Sequence, residues 1–145
     1  MSQPIRYLLD TNILVHLIRQ DALWAKLRDR FNLLVAEPTP LISIVTAGEL
    51  RSLATQNDWG PKKLDQIEFA LGYFVRFPVD DERLVRAYAG IDSAMIGRGV
   101  EMGKNDLWIA ATTLVTGAHL LTTDKDFVPL TPSVIPGERI DPTAR

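Results

Sequence analysis

Residues 5–18 read Ile5-Arg6-Tyr7-Leu8-Leu9-Asp10-Thr11-Asn12-Ile13-Leu14-Val15-His16-Leu17-Ile18. The first part is a short apolar run that stops at Asp10, as a buried strand does. From Asn12 onward the apolar residues fall at Ile13, Leu14, Leu17 and Ile18, one face of a helix. An acid therefore stands where a strand hands over to a helix.

The same alternation continues outward. Pro38 and Pro40 mark a loop, Leu41 to Val45 reads as a buried strand, and Thr46 opens a helix with Glu49 in its first turn. Gly60 and Pro61 start another helix, in which Leu64, Ile67, Leu71 and Phe74 keep a period of about 3.6 residues. Val75 to Val79 is a short strand, and Asp80 or Asp81 caps a helix with Leu84, Ala87, Tyr88, Ile91 and Met95 on one face. After Gly97, Gly99 and Gly103, Asn105 restarts the helical pattern, with Ile109, Ala110, Thr113 and Leu114 inward. Gly117 stops it, and the strand His119 to Thr122 leads into Asp124 and Asp126.

Prolines between Pro129 and Pro142 make the tail extended, with Val134 and Ile135 as its expected edge strand. Strands alternating with helices, without hairpin signals, predict a central parallel sheet covered by helices on both faces. The class is α/β. With 145 residues, no internal repeat and no linker, the reading is one domain over 1–145, of which 129–145 is a proline-rich tail.

The chain has no cysteine, which excludes disulfides, thiol nucleophiles and Cys-bearing zinc sites and fits a cytoplasmic setting. Asp10, Asn12 and His16 interrupt the first apolar stretch, so no secretory signal is expected. No run approaches the roughly 18 apolar residues of a membrane span. The formal charge of −2 differs from the basic excess of most nucleic-acid binders, although bound cations would invert the field of a carboxylate cluster.

Asp10 and Asp124 follow strands, whereas Glu49 and Asp106 sit at helix starts. In an open parallel sheet these places share the rim beyond the carboxyl ends of the strands, where such folds bind ligands. Each acid also has a purely structural reading. Thr46-Ala47-Gly48-Glu49 is a capping-box pattern, Asp106 complements a helix dipole, Asn12 caps the first helix, and Asp124 and Asp126 flank a turn. Those readings account for each acid singly, not for four acids on one rim without matching Lys or Arg. Hard carboxylate oxygens suit magnesium or manganese, while His16 and His119 are the sole histidines available for a softer site.

Four segments, Leu8-Leu9-Asp10-Thr11-Asn12, Thr46-Ala47-Gly48-Glu49-Leu50, Asn105-Asp106-Leu107-Trp108-Ile109-Ala110 and Leu121-Thr122-Thr123-Asp124-Lys125-Asp126-Phe127, resemble the PIN-domain family. Within it they most resemble VapC-type toxins of toxin–antitoxin pairs, collinearly from residue 5 to about 128. The resemblance implies a PIN-like fold and a Mg2+- or Mn2+-dependent endoribonuclease. Its acidic centre would be Asp10, Glu49, Asp106 and Asp124, with Asp126 adding through water. Asn12 and Thr122 would orient the first and last acids, and RNA, a cognate antitoxin and a second copy of the chain would be the partners. Lys104, Lys125, Arg51 and Arg98 are candidates for gripping RNA phosphates, and Trp108 for stacking on a base or packing in a dimer.

Rival motifs fail on particular residues. Gly97-Arg98-Gly99-Val100-Glu101-Met102-Gly103-Lys104 lacks a glycine five before Gly103, and Asn105 replaces the Ser or Thr of a phosphate loop. A haloacid-dehalogenase-like phosphatase would need a second Asp where Asn12 stands. A housekeeping RNA-processing nuclease shares the same motifs, and a non-catalytic binding module would not need all four acids.

Overall fold

The computed structural model describes residues 4–143; residues 1–3 and 144–145 of the expected domain lie outside the described residues. In chain order the elements are β1 (Tyr7–Leu9), α1 (Thr11–Arg19), α2 (Ala22–Phe31), β2 (Leu41–Ser43), α3 (Ile44–Gln56) and α4 (Pro61–Tyr73). They continue with β3 (Val75–Phe77), α5 (Glu82–Gly97), α6 (Lys104–Thr116), β4 (His119–Thr122), a 3-10 turn (Lys125–Phe127) and β5 (Gly137–Arg139). The strands form one parallel sheet in the order β3-β2-β1-β4-β5. The chain thus builds from β1 toward one edge, then crosses over and builds toward the other. This reversal opens a crevice at the carboxyl ends of β1 and β4.

Alternation along each strand divides the core. Leu9, Ile42 and Leu121 face α1 to α4, whereas Leu8, Leu41 and Leu120 face α5 and α6. Both sides of the central strands are therefore dry, which is why they read as unbroken apolar runs rather than alternating ones. In α1, Ile13, Leu14, Leu17 and Ile18 are all buried, as the spacing predicts.

Several boundaries differ from the sequence reading, each for a local reason. β2 stops at Ser43, whose hydroxyl accepts from Val45 N at 3.0 Å and starts α3 before Thr46. The capping-box reading of Thr46 and Glu49 is thereby corrected, since both lie inside the helix. Asp10, not Asn12, is the N-cap of α1, accepting from Thr11 N at 2.8 Å. α2 went unread; Asp21 caps it through Trp24 N, and Trp24 and Leu27 anchor it in the core.

The edge strand lies at Gly137–Arg139 instead of Val134 and Ile135. The N–H groups of those two residues donate to Leu130 O at 2.8 and 3.1 Å, which holds them in a turn. Strand β3 ends at Phe77, short of Val79. Leu64 and Leu114, read as inward, are 43% and 44% exposed. The buried arc of α6 runs instead through Leu107, Ile109, Ala110, Ala111 and Thr113. Trp108 packs within the chain on Tyr88 of α5, ring centroids 4.4 Å apart. Among the described residues, no helix is long and apolar enough to cross a membrane.

Gly137 joins β5 to the sheet at a point where a side chain has no room. A Cβ there would lie 2.8 Å from Leu120 Cβ and 2.9 Å from Leu120 O, both in the central strand β4. Gly137→Ala should lower stability by about 1–3 kcal/mol in urea or thermal unfolding. Gly90→Ala, in helix α5 where a Cβ meets nothing within 4 Å, should raise it by up to about 1 kcal/mol. Equal effects of the two substitutions would contradict this packing.

Candidate metal centre

At the β1–β4 crevice the Thr122 hydroxyl donates to Asp10 Oδ2 at 2.7 Å and accepts from Asp124 N at 2.9 Å. One buried side chain thus ties the acid after β1 to the acid after β4. Asp10 is only 3% exposed; its other oxygen accepts from Thr11 N, and its own N–H donates to Leu121 O at 3.0 Å. Asp10 therefore has its rotamer fixed from both sides. Asp124 Oδ1 in turn accepts from Asp126 N at 2.9 Å, which starts the 3-10 turn.

Helices supply the remaining acids. Asp106 lies in the first turn of α6, and Gly103 at the cap position makes no side-chain capping bond. Glu49 Oε1 accepts from the Thr11 hydroxyl at 2.7 Å, and that hydroxyl lies 3.0 Å from the Thr46 hydroxyl. Thr11 has one proton and the carboxylate can only accept, so Thr46 supplies the proton of the second bond. Thr11 is the residue sequence reading missed; its place between Asp10 and Asn12 gave no periodic signal. The hydrogen bonds to the Asp10 carboxylate come from the Thr11 N–H and the Thr122 hydroxyl, and Asn12 makes none to it.

Carboxylate oxygens of Asp106, Asp124 and Asp126 lie within 4.8 Å of one another. Glu49, Asp106 and Asp124 line one open depression of about 570 Å³, with Lys104 and Asn105 at its edge. Among the described residues, none of the five acids forms an ion pair. The cost appears in their protonation. Burial, then the charges of Asp106 and Glu49, push Asp10 up to about 7 against the hydrogen bonds from Thr122 and Thr11. Asp106 is pushed up to about 6 by burial and by Asp124, Asp126 and Glu49.

The donor set fits a hard divalent cation. It offers carboxylate oxygens alone, and ligands about 2.1 Å from magnesium lie up to about 4.2 Å apart, a span comparable with the 4.8 Å that contains the three oxygens. His16 and His119 are elsewhere, paired with Asp21 and Glu138. The expected phosphate contacts separate likewise. Arg51 pairs with Glu68 at 2.8 Å, and Arg98 donates to Pro129 O at 3.2 Å. Lys104 lines the depression, and Lys125 is exposed directly after Asp124.

A carboxyl whose folded-state pKa exceeds its unfolded value of about 3.9 keeps its proton longer when folded. Between about pH 4 and 7 the folded state then binds more protons than the unfolded chain, and metal-free stability contributed by Asp10 falls as pH rises. The full effect is on the order of 4 kcal/mol before relaxation. In chelator, melting curves of Asp10→Asn should therefore gain on wild type from pH 5 to pH 8. Asp106→Asn should shift in the same direction. A simple helix-start acid would instead lose roughly 0.3–1 kcal/mol on neutralisation, lowering the melting temperature.

The family model of the PIN domain matches residues 7–130. No curated protein matches the chain in sequence. Among solved structures, VapBC2 from Rickettsia felis bound to a promoter DNA fragment superposes with a TM-score of 0.79 at 21% identity, covering 94% of this chain and 100% of that chain. VapBC-1 from nontypeable Haemophilus influenzae gives 0.73 at 25% identity, covering 93% and 98%. VapBC-5 from Mycobacterium tuberculosis, a member of the VapBC family of toxin-antitoxin systems, gives 0.69 at 23%, covering 94% and 100%. With its acids at the β1–β4 switch point and the family match spanning nearly every element of the sheet, the chain belongs to the PIN domain family.

Proposed function

We propose that this chain is a magnesium- or manganese-dependent endoribonuclease hydrolysing RNA phosphodiester bonds, and the toxin of a VapBC-type toxin–antitoxin pair. The observation that carries the reading is the approach of Asp106, Asp124 and Asp126 within 4.8 Å, with Glu49 lining the same depression and Asp10 tied to Thr122 beside them, none of the five in an ion pair among the described residues. Membership of the PIN family and likeness to VapBC complexes support it.

In this reading Asp10, Asp106 and Asp124 hold the ion, with Glu49 and Asp126 beside them. When bound, the ion supplies Lewis acidity that makes water nucleophilic near neutral pH and steadies the leaving oxygen. The protein's own part is positional. Thr122 fixes Asp10 relative to Asp124, and Thr11 fixes Glu49. Lys104, which lines the depression, and the exposed Lys125 would meet phosphate oxygens, with Arg51, in an exposed ion pair with Glu68, and Arg98 as further candidates. A small antitoxin would silence the site by placing a basic or apolar tail in the acidic depression. A homodimer in the cytoplasm completes the proposal.

Purified protein should cut single-stranded or looped RNA with magnesium or manganese and stop in excess chelator. The products should carry 5′-phosphates; a 2′,3′-cyclic phosphate would make the RNA 2′-hydroxyl the nucleophile and defeat the hydrolytic reading. Asp10→Asn should abolish cleavage. Thr122→Val, which removes only the orienting hydroxyl, should lower activity or metal affinity by about 10–100-fold. Expression alone should arrest growth, and co-expression of a neighbouring small antitoxin should restore it; harmless expression with processing of one precursor RNA would instead indicate a housekeeping nuclease.

A further inference from the structure

A second depression, of about 580 Å³, adjoins the acidic one and shares Glu49 and Asn105 with it. One face of α3 makes its wall, because Val45, Gly48, Glu49, Ser52, Leu53 and Gln56 recur at helical spacing. Thr11 and Asn12 from α1 and Asn105 from α6 close the other side. We infer that this groove is a nucleobase pocket, which receives a base next to the scissile phosphate and sets the sequence preference of cleavage. The inference rests on the nuclease reading above.

The chemistry of the lining favours a base over a phosphate. Apart from Glu49 at the shared border, the lining carries no ionisable side chain, so a phosphate would meet no counter-charge there. Neutral amides and a hydroxyl, from Asn12, Asn105, Gln56 and Ser52, surround apolar Val45 and Leu53. A base needs that combination, an apolar surface for its ring and paired donors and acceptors for its edge. The side chains of Asn12 and Asn105 show no hydrogen bond among the described residues. Gln56 Nε2 donates to Ser52 Oγ at 2.9 Å, which orients the amide and leaves its oxygen available. The space beside Gly48 is open, since a Cβ there would meet nothing within 4 Å.

Unpaired bases splayed from single-stranded RNA are the form in which proteins read RNA sequence. The shared residues Glu49 and Asn105 put such a base next to the acids. The groove therefore selects which bond is cut while the acids cut it.

The test uses the four uncharged ribonucleosides, titrated into isotope-labelled full-length protein with magnesium and followed by NMR. One nucleoside should shift the Gly48 and Ser52 backbone signals and the Gln56 and Asn105 side-chain amides more than the others do. In parallel, cleavage of RNAs differing by one base beside the cut bond should show a preference for that same base, reduced at least about fivefold in Gln56→Ala and Ser52→Ala. Nucleoside shifts lying elsewhere, or a preference unchanged in both variants, would overturn the pocket. So would protection of the groove by a second copy as protein concentration rises, without any nucleoside effect. Nucleoside shifts in the groove from a protein that cuts no RNA under any metal would uphold base binding and overturn the nuclease reading instead.

Discussion

Carboxylates held together repel, and this repulsion is the constraint to which the rest of the structure answers. Two unit charges about 4–6 Å apart oppose each other by on the order of 3–4 kcal/mol at an effective dielectric of 20. The chain keeps carboxylate oxygens of Asp106, Asp124 and Asp126 within 4.8 Å of one another, and the charges of Glu49 and Asp106 are felt at Asp10. A loop-borne cluster would relax by swinging apart. Here Asp10 continues β1 and is pinned to β4 through Leu121 O and Thr122, while the Thr122 hydroxyl and Asp124 Oδ1 accept from the N–H groups of Asp124 and Asp126 and hold the turn after β4 in place.

The burial that stiffens the sheet also creates the electrostatic stress. With α1 to α4 on one face and α5 and α6 on the other, the central strands have no wet side, and the residue that follows β1 inherits that dryness. Asp10 is consequently pushed toward neutrality by desolvation before any neighbouring charge acts. Three helices, α1, α3 and α6, start at this rim, and their N-terminal dipoles offset part of the negative field. Those partial charges cannot replace a counter-ion, and the neighbouring acids add to burial in raising Asp10 and Asp106.

Much of this was legible in the sequence because the signals are local. Apolar runs ending in Asp10 and Thr122, and helices with clear faces such as Ile13 to Ile18, specify the alternation that makes a parallel sheet. The alternation also places Asp10 and Asp124 beyond the ends of β1 and β4 and Asp106 in the first turn of α6, whereas Glu49 lies inside α3 and borders the same depression. The less legible features are those decided by tertiary partners. Ser43 sits inside an apolar run, which hid its capping of α3, and Val134 with Ile135 has strand composition but is held in a turn by the Leu130 carbonyl. Arg51 and Arg98 lie close in sequence to site residues, yet their partners Glu68 and Pro129 come from distant segments. Thr11 gave no signal at all, since its work is to reach across to Glu49.

A divalent-cation site at the acidic rim, unlike a set of independent helix caps, must bind manganese. Anomalous diffraction from crystals of the protein grown with manganese tests this without relying on turnover. The expected result is a manganese peak at the carboxyl ends of β1 and β4, within bonding distance of Asp106 and Asp124 and adjoining Asp10. Saturating manganese with no peak at the rim, or the Lys104 ammonium folded among the carboxylates in its place, would contradict it.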